Sequence, residues 1–147
     1  MKDILLDYGD THMSVSLPDS ATVVRYGHTY VDPPKVDNYE ETKRALRNPL
    51  GFKPLKELSG PNKKIVIGFP DRVKGGAQFD SHRKVAIPLI IEELLAGGAN
   101  IENITLLCAM GLHRKNTLEE WYQYLGKKIV DQFYPNRLIN HDAEDVN

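Results

Sequence analysis

The sequence is poor in cysteine and in long hydrophobic runs. Cys108 is the only cysteine among 147 residues, which excludes a disulfide within the chain and favours a reducing compartment, the cytoplasm. No apolar run approaches the roughly 20 residues that a membrane-spanning helix needs. The first residues also lack the charged-then-apolar order of an export signal. These absences argue against a disulfide-stabilised secreted protein and against a membrane-spanning one.

The chain also lacks a large excess of charge of either sign. Its formal net charge is −1, which gives no reason to expect a nucleic acid or a membrane as a partner. The charge is nevertheless unevenly distributed, because residues 71–84 and 111–116 together hold six basic and two acidic side chains. These two segments carry +4 and the rest of the chain −5. Positive charge concentrated in this way points to a small anion as ligand.

Several motifs of known chemistry are missing. The sequence has no Walker loop, no dinucleotide fingerprint and no nucleophile elbow. Its His, Cys, Asp and Glu residues show no dependable metal-ligand spacing. An α/β enzyme that binds a nucleotide through such a motif is therefore the least favoured function.

Residues 1–36 have the features of a β-rich N-terminal region. Two runs flank the turn-like pair Gly9-Asp10, and the second run alternates with the period of a strand. This pattern predicts a hairpin of residues 3–8 and 12–17, with a third short strand in the β-branched run 21–25. Helices are predicted next, over 37–47 and 54–60.

Residues 63–140 are predicted to form a βαβαβ unit. The apolar run 63–69 is typical of a strand covered on both faces, and 103–110 and 137–140 are predicted to be the second and third strands. Strands that alternate with helices indicate a Rossmann-like parallel sheet with right-handed βαβ crossovers. The chain as a whole, 1–147, is predicted to be a single domain of the α/β class.

The two helices of this unit differ in how clearly they are defined. The first contains Pro88, which removes a backbone hydrogen bond, so we expect this helix to be bent there or regular only from about Ala86. The second has a clear start, because Thr117 and Glu120 have the spacing of a capping box.

His113 is the leading candidate for chemistry. An imidazole takes or gives a proton near neutral pH, and the helix that starts at Thr117 favours negative charge nearby. Ligands of open parallel sheets bind beyond the carboxyl ends of the strands, where neighbouring strands lie about 5 Å apart. The loops after 63–69 and 103–110 can therefore face one anion. A loop histidine that only makes local hydrogen bonds is the equally favoured alternative.

Basic side chains near the same strand ends are candidates for binding a carboxylate or phosphate. Arginine suits a carboxylate best, because its planar guanidinium group can donate two parallel hydrogen bonds. The candidates are Arg72, Lys74, Arg83 and Arg114. Solvated surface charge is the alternative for each of them, and Arg72 and Arg114 are favoured as ligands because they lie closest to the strand ends. Asp71 is expected either to orient a cationic neighbour or to cap a turn. His141 follows the third strand, so it either reaches the same crevice or belongs to a polar tail.

Five segments carry a resemblance to a known family. They are ALRNPLG (45–51), IVIGFPDR (65–72), IPLIIEELLAGGANIENITLLCAMGLHR (87–114), TLEEWYQYLG (117–126) and NHDAED (140–145). Together they resemble the N-terminal domain of the lactate racemase family over nearly the whole chain. The pattern strand–Gly–x–His–Arg–x–x–Thr–x–x–Glu is the most specific part.

The resemblance implies a racemase or epimerase of 2-hydroxy acids that uses a nickel-pincer nucleotide cofactor. In such enzymes a hydride moves from the α-carbon of the substrate to the cofactor while a histidine removes the hydroxyl proton, and the keto acid is then reduced from its other face. His113 matches one of the two catalytic histidines of the family. Asp71 matches the acid that opens the first substrate loop.

Two departures from the family pattern qualify this implication. The usual loop Asp-x-Thr-Arg-Pro is replaced by DRVKGGAQFDSHRK, in which Lys74 has the spacing of the substrate-binding arginine and Arg72 and Arg83 are alternatives. This change makes a hydroxy acid that is larger than lactate or differently charged an alternative to lactate itself. The cofactor-bearing lysine, the nickel-binding histidine and the second catalytic histidine of the family have no counterpart here.

The chain is therefore expected to be the N-terminal part of a longer enzyme, with the C-terminal part as its partner and no racemase activity alone. The alternative is a non-catalytic domain on the same scaffold that binds a small anion or another protein.

Overall fold

The structure, a computed structural model, describes residues 1–25, 27–73 and 81–145. The chain divides into two compact units, Met1–Lys35 and Val36–Asn147, and its organisation as a single domain stays a prediction. None of the helices in the described ranges is long and apolar enough to cross a membrane.

The first unit is built on a β-hairpin. Strands β1 (Lys2–Tyr8) and β2 (Thr11–Leu17) pair antiparallel, with Ile4 opposite Val15. Gly9, at φ +57°, allows the tight connection between them. The predicted hairpin is thus confirmed.

The predicted third strand at 21–25 is wrong. The N–H of Arg25 donates to Thr29 Oγ1 at 2.7 Å, and its carbonyl accepts from the backbone N–H groups of residues 28–30. A turn therefore uses the backbone groups that a strand would need, and β-branched composition does not override this local bonding.

The second unit contains the parallel sheet. Its elements are α1 (Asn38–Arg47), α2 (Leu55–Leu58), β3 (Ile65–Pro70), α3 (Arg83–Ala96), a 3₁₀ turn (Ile101–Asn103), β4 (Ile104–Ala109), α4 (Leu118–Leu125), α5 (Lys127–Phe133) and β5 (Leu138–Asn140). The sheet order is β3–β4–β5 and both pairings are parallel. This arrangement confirms the α/β class and the strand–helix alternation over 63–140.

The sheet is covered on one face, and the prediction that the first strand is covered on both faces is wrong. Phe69, Leu106 and Leu138 are buried with the helices in the core, whereas Val66, on the opposite face of β3, is 63% exposed. The strand order runs in one direction without reversal. Crossovers of one hand between such strands place their helices on the same face.

Helix α3 runs from Arg83 through Pro88 without interruption, so the alternative start near Ala86 is wrong. The carbonyl oxygens of Ser81 and His82 accept hydrogen bonds from the N–H groups of residues 84–86. The first turn of the helix is therefore complete before Pro88. The proline removes one backbone hydrogen bond but does not end the helix.

Helix α4 begins at the predicted capping box. Thr117 Oγ1 accepts from the N–H of Glu120, and the Glu120 carboxylate accepts from the N–H of Thr117. The helix buries Trp121, Tyr124 and Leu125 in the core. Both packing and capping therefore fix the start of the helix that follows the His113 loop.

Candidate active site

The loops that follow β3 and β4 meet at the carboxyl ends of the two strands. Pro70 and Ala109 are register partners at these ends, and Gly111, at φ +59°, turns the second loop. His113 Nδ1 then lies 2.7 Å from Asp71 Oδ2. The expectation that these two loops meet at the carboxyl ends of the strands is confirmed.

The Asp71–His113 pair combines a buried carboxylate with an accessible imidazole. The side chain of Asp71 is 2% exposed and that of His113 is 44% exposed. The N–H of Val73 donates to the other carboxylate oxygen of Asp71, at 3.2 Å. Because an ionised carboxylate only accepts, the short contact requires a hydrogen on Nδ1, so in the neutral form of His113 the lone pair lies on Nε2. This arrangement can accept a proton from a bound hydroxyl group.

Arg83 lies beneath this pair as a buried cation. Its Nη1 donates to the carbonyl oxygens of Pro70 at 2.8 Å and Asp71 at 2.6 Å, and its Nε donates to Ser81 Oγ at 3.0 Å. Its guanidinium carbon is 4.4 Å from the centroid of the Tyr124 ring. These contacts fix the backbone that carries Asp71.

Arg72 and Arg114 come together on Glu120. Arg114 binds the carboxylate with both terminal nitrogens, at 2.7 and 3.0 Å. The Nε of Arg72 lies 3.1 Å from Oε1 of Glu120, but the N–H is not aligned for a hydrogen bond, so the contact is an ion pair. One carboxylate thus joins the arginines that follow Asp71 and His113 in the sequence.

The sequence predicts Glu120 only as a capping residue. Its side chain is 16% exposed, and the hydrogen bond from Arg114 holds its pKa below the ordinary value of 4.5. The spacing from Thr117 signals the cap, but no local pattern signals the contact with Arg72, which lies 48 positions earlier in the sequence.

The opposite side of the second loop is fixed to β5. Asn140 Oδ1 accepts from the N–H and the side-chain amide of Asn116, both at 3.0 Å, and its own amide donates to the Asn116 carbonyl at 3.1 Å. Lys115 Nζ lies 2.7 Å from Asp142 Oδ2. The sequence does not predict this asparagine pair, whose only signal is an amide residue at a strand end.

A cleft of about 430 Å³ opens between the second loop and the residues after β5. Its lining includes Gly111, His113, Arg114, His141 and Asp142. His141 therefore reaches the crevice at the strand ends, as one of its two alternatives predicted.

Two further predictions concern Lys74 and a metal. Lys74 lies outside the described residues. Across residues 1–25, 27–73 and 81–145, no three His, Cys, Asp or Glu side chains converge in a way that could hold a metal ion.

A model of the lactate racemase N-terminal domain family matches residues 8–147. The chain belongs to this family. The resemblance inferred from the sequence motifs is therefore confirmed, and the lactate racemase N-terminal domain provides the context for the Asp71–His113 pair.

Two curated lactate racemases are similar to this domain. The enzyme of Thermoanaerobacterium thermosaccharolyticum is 29% identical over 147 residues, which cover 99% of this chain and 32% of that enzyme. The enzyme of Lactiplantibacillus plantarum is 28% identical over 111 residues, which cover 76% of this chain and 24% of that enzyme. The domain thus spans a third or less of the curated relatives that it matches.

A solved structure supports the same assignment of fold. The lactate racemase apoprotein from T. thermosaccharolyticum superposes with a TM-score of 0.58 at 26% sequence identity, covering 96% of this chain and 30% of that chain. The lactate racemase N-terminal domain fold therefore includes both the hairpin and the parallel sheet described above.

Proposed function

We propose that this domain binds a 2-hydroxy acid and supplies the proton-transfer histidine of a racemase or epimerase. The observation that carries the proposal is the 2.7 Å contact between His113 and the buried Asp71. A carboxylate that fixes the tautomer of an accessible imidazole is the arrangement that general-base catalysis requires. The neighbouring arginines supply the positive charge that an acid substrate needs.

Each residue has a distinct part in this proposal. Arg72 binds the substrate carboxylate, and Nε2 of His113 accepts the hydroxyl proton while Asp71 stabilises the imidazolium that forms. The imidazolium holds this proton while the α-carbon is inverted, and the proposal leaves the hydride acceptor that the inversion needs to the further length that the relatives possess. Arg83 acts as a positioning residue rather than a substrate ligand, because its Nε and Nη1 already donate to Ser81 and to backbone carbonyls. Arg114 is held by Glu120 and acts mainly through charge.

The nickel-pincer nucleotide that the family resemblance implies has no assigned anchoring residues in the part of the chain that the structure describes, where no three His, Cys, Asp or Glu side chains converge to hold a metal ion. The proposal assigns the cofactor to the further length that the relatives possess, and that length is the proposed partner of this domain.

The proposed substrate class is a small anionic hydroxy acid, and the proposed location is the cytoplasm, where the single buried thiol of Cys108 stays reduced. Burial raises the pKa of this thiol, which suits a packing residue rather than a nucleophile. No role in nucleic-acid or membrane binding is proposed.

Binding of matched ligands tests the proposal. L-lactate, D-lactate and propionate are titrated into the chain while the imidazole resonances of His113 are followed by NMR. Propionate has the same carboxylate and carbon number but lacks the hydroxyl group. We expect both lactates to bind more tightly than propionate by about 5- to 30-fold, the value of one hydrogen bond to a group that becomes charged. Equal affinities would show that His113 does not contact the hydroxyl.

Turnover distinguishes the racemase domain from the non-catalytic alternative. The isolated chain, with added nickel and cofactor, is expected to racemise neither lactate enantiomer, and turnover would refute this expectation. In a longer enzyme that carries this domain, His113→Ala is expected to abolish isomerisation while the fold is retained. A non-catalytic anion-binding domain would instead lose affinity only, or nothing at all.

A further inference from the structure

The two arginines beside the Asp71–His113 pair are bound by Glu120 in different ways. Arg114 uses both Nη nitrogens on the carboxylate, at 2.7 and 3.0 Å. The ion-pair contact of Arg72 with it is made by Nε, at 3.1 Å, and without an aligned hydrogen bond. The two guanidinium groups therefore present different edges to the rest of the site.

This difference determines which arginine has N–H groups that are available to a ligand. Within the described ranges, the two Nη nitrogens of Arg72 make no hydrogen bond, while its Nε is buried against Glu120. The side chain of Arg72 is 29% exposed. A guanidinium held at Nε retains an Nη pair that can bind a carboxylate in two parallel bonds.

The remaining contacts of Glu120 hold its carboxylate in place. Oε2 accepts from the N–H of Thr117 at 2.9 Å as part of the capping box. Four contacts, two from Arg114, one from Arg72 and one from Thr117, therefore fix an anion whose side chain is 16% exposed. A carboxylate held in one position by these contacts can restrict the orientation of a longer side chain that contacts it.

We propose that Glu120 is a positioning residue, which holds Arg72 by its Nε edge and so presents the Nη nitrogens of Arg72 to the carboxylate of the bound acid. This inference rests on the proposed function, because it assigns the carboxylate end of the same ligand. Glu120 also separates two guanidinium groups that would otherwise repel each other. The triad of Arg72, Arg114 and Glu120 retains one net positive charge.

The substitution Glu120→Gln tests this role without removing the helix cap. The glutamine amide oxygen can still accept from the N–H of Thr117, while the negative charge is lost. Glu119→Gln is the matched control, because it removes one charge from the adjacent, exposed position, where no arginine contact is present in the described chain. Thermal unfolding and NMR chemical-shift dispersion check that each variant is folded.

The probes are L-lactate and its uncharged methyl ester, titrated into the chain by NMR. We expect Glu120→Gln to weaken L-lactate binding about three- to tenfold, because the freed Arg72 side chain must be ordered on binding. Arg72→Gln should weaken it about 10- to 100-fold, and Glu119→Gln less than about twofold. Binding of the methyl ester should not change in the Glu120→Gln variant, whereas general loosening of the site would weaken both probes. The Nε–H resonance of Arg72 should also shift in Glu120→Gln and not in Glu119→Gln.

The outcomes separate this inference from the proposed function. If the wild-type chain binds L-lactate and Glu120→Gln binds it equally well, the positioning role is overturned while the hydroxy-acid site stands. If Glu120→Gln binds it more tightly, Glu120 competes with the ligand for the arginines and the inference is again overturned. Failure of the wild-type chain to bind both L-lactate and the larger, doubly charged L-malate overturns the proposed function, and the ligand role of Glu120 with it.

Discussion

Two contacts of equal length, each between a carboxylate and a basic side chain, join the loop between β4 and α4 to its neighbours, yet they differ in burial. His113 contacts Asp71 on the β3 side and Lys115 contacts Asp142 on the β5 side, both at 2.7 Å. The Asp71 side chain is 2% exposed, whereas that of Asp142 is 39% exposed. The distance between the partners therefore does not distinguish the pairs, but access to water does.

The difference follows from the cost of removing a charge from water. A buried carboxylate cannot be solvated and depends on its protein partners, whereas an exposed one exchanges each partner for water at little cost. Asp71 has Val73 and His113 as hydrogen-bond partners. The β3 side is thus expected to carry function and stability, and the β5 side little of either.

The largest expected effect is that of Asp71→Asn. The substitution removes the anionic acceptor that keeps the hydrogen on Nδ1 of His113, so both tautomers become populated. Isomerisation by a longer enzyme carrying this domain should fall about 100-fold or more. Steady-state kinetics give the rate, and long-range ¹H–¹⁵N NMR of the imidazole gives the tautomer. Unchanged turnover would show that the buried pair has no part in catalysis.

Arg83→Met should have the next largest effect. It leaves the carbonyl oxygens of Pro70 and Asp71 without their guanidinium donor and removes the cation from the Tyr124 ring. The free energy of unfolding in urea is expected to fall by about 2–4 kcal/mol. Arg83→Lys, which keeps the charge but not the planar fork, should give an intermediate loss. A stable Arg83→Met variant that binds lactate normally would contradict the positioning role of Arg83.

A smaller effect is expected at Glu120, whose pKa is lowered chiefly by the hydrogen bond from Arg114. A lowered pKa in the folded state contributes stability that is present above the unfolded pKa and lost as the pH falls through the folded pKa. Arg114→Gln should therefore raise the pKa of Glu120 toward 4.5 and reduce the loss of stability in acid. ¹³C NMR titration of the Glu120 carboxyl group measures this shift. An unmoved titration would show that Arg114 does not hold the carboxylate in solution.

The smallest effect is expected for Asp142→Asn, the same chemical change as Asp71→Asn at the exposed pair. The hydrogen bond with Lys115 lowers the pKa of Asp142, but water replaces this contact readily. The melting temperature and lactate affinity should match those of the wild type. If Asp142→Asn impaired binding as much as Asp71→Asn, burial would not be what separates the two pairs.

Local sequence patterns accounted for much of the fold. The alternation of residues 12–17 predicted the hairpin strand, and the spacing of Thr117 and Glu120 predicted the start of α4. Such features depend on neighbours a few positions apart, so they are visible in the sequence. The prediction of a third strand at 21–25 is wrong because the backbone groups of Arg25 form hydrogen bonds within a turn. The number of sheet faces that helices cover depends on the strand order, which local patterns do not reveal.

The site was predicted in outline but not in its contacts. The expectation that Asp71 and His113 meet came from two strand ends, which the parallel pairing of β3 and β4 brings together. The burial of Arg83 and the contact of Arg72 with Glu120 had no local signal, since each depends on how α3 and α4 pack beside those ends.

The sequence by itself determined the α/β class, the family and the pairing of two loops at one edge of the sheet, because periodicity, capping and motif spacing are properties of short segments. Only the tertiary structure decided that Arg83 lies beneath Asp71, that Glu120 joins two arginines and that the helices cover one face of the sheet. The physical reason is that a side chain's burial and partners depend on residues distant in sequence, whose approach is set by packing.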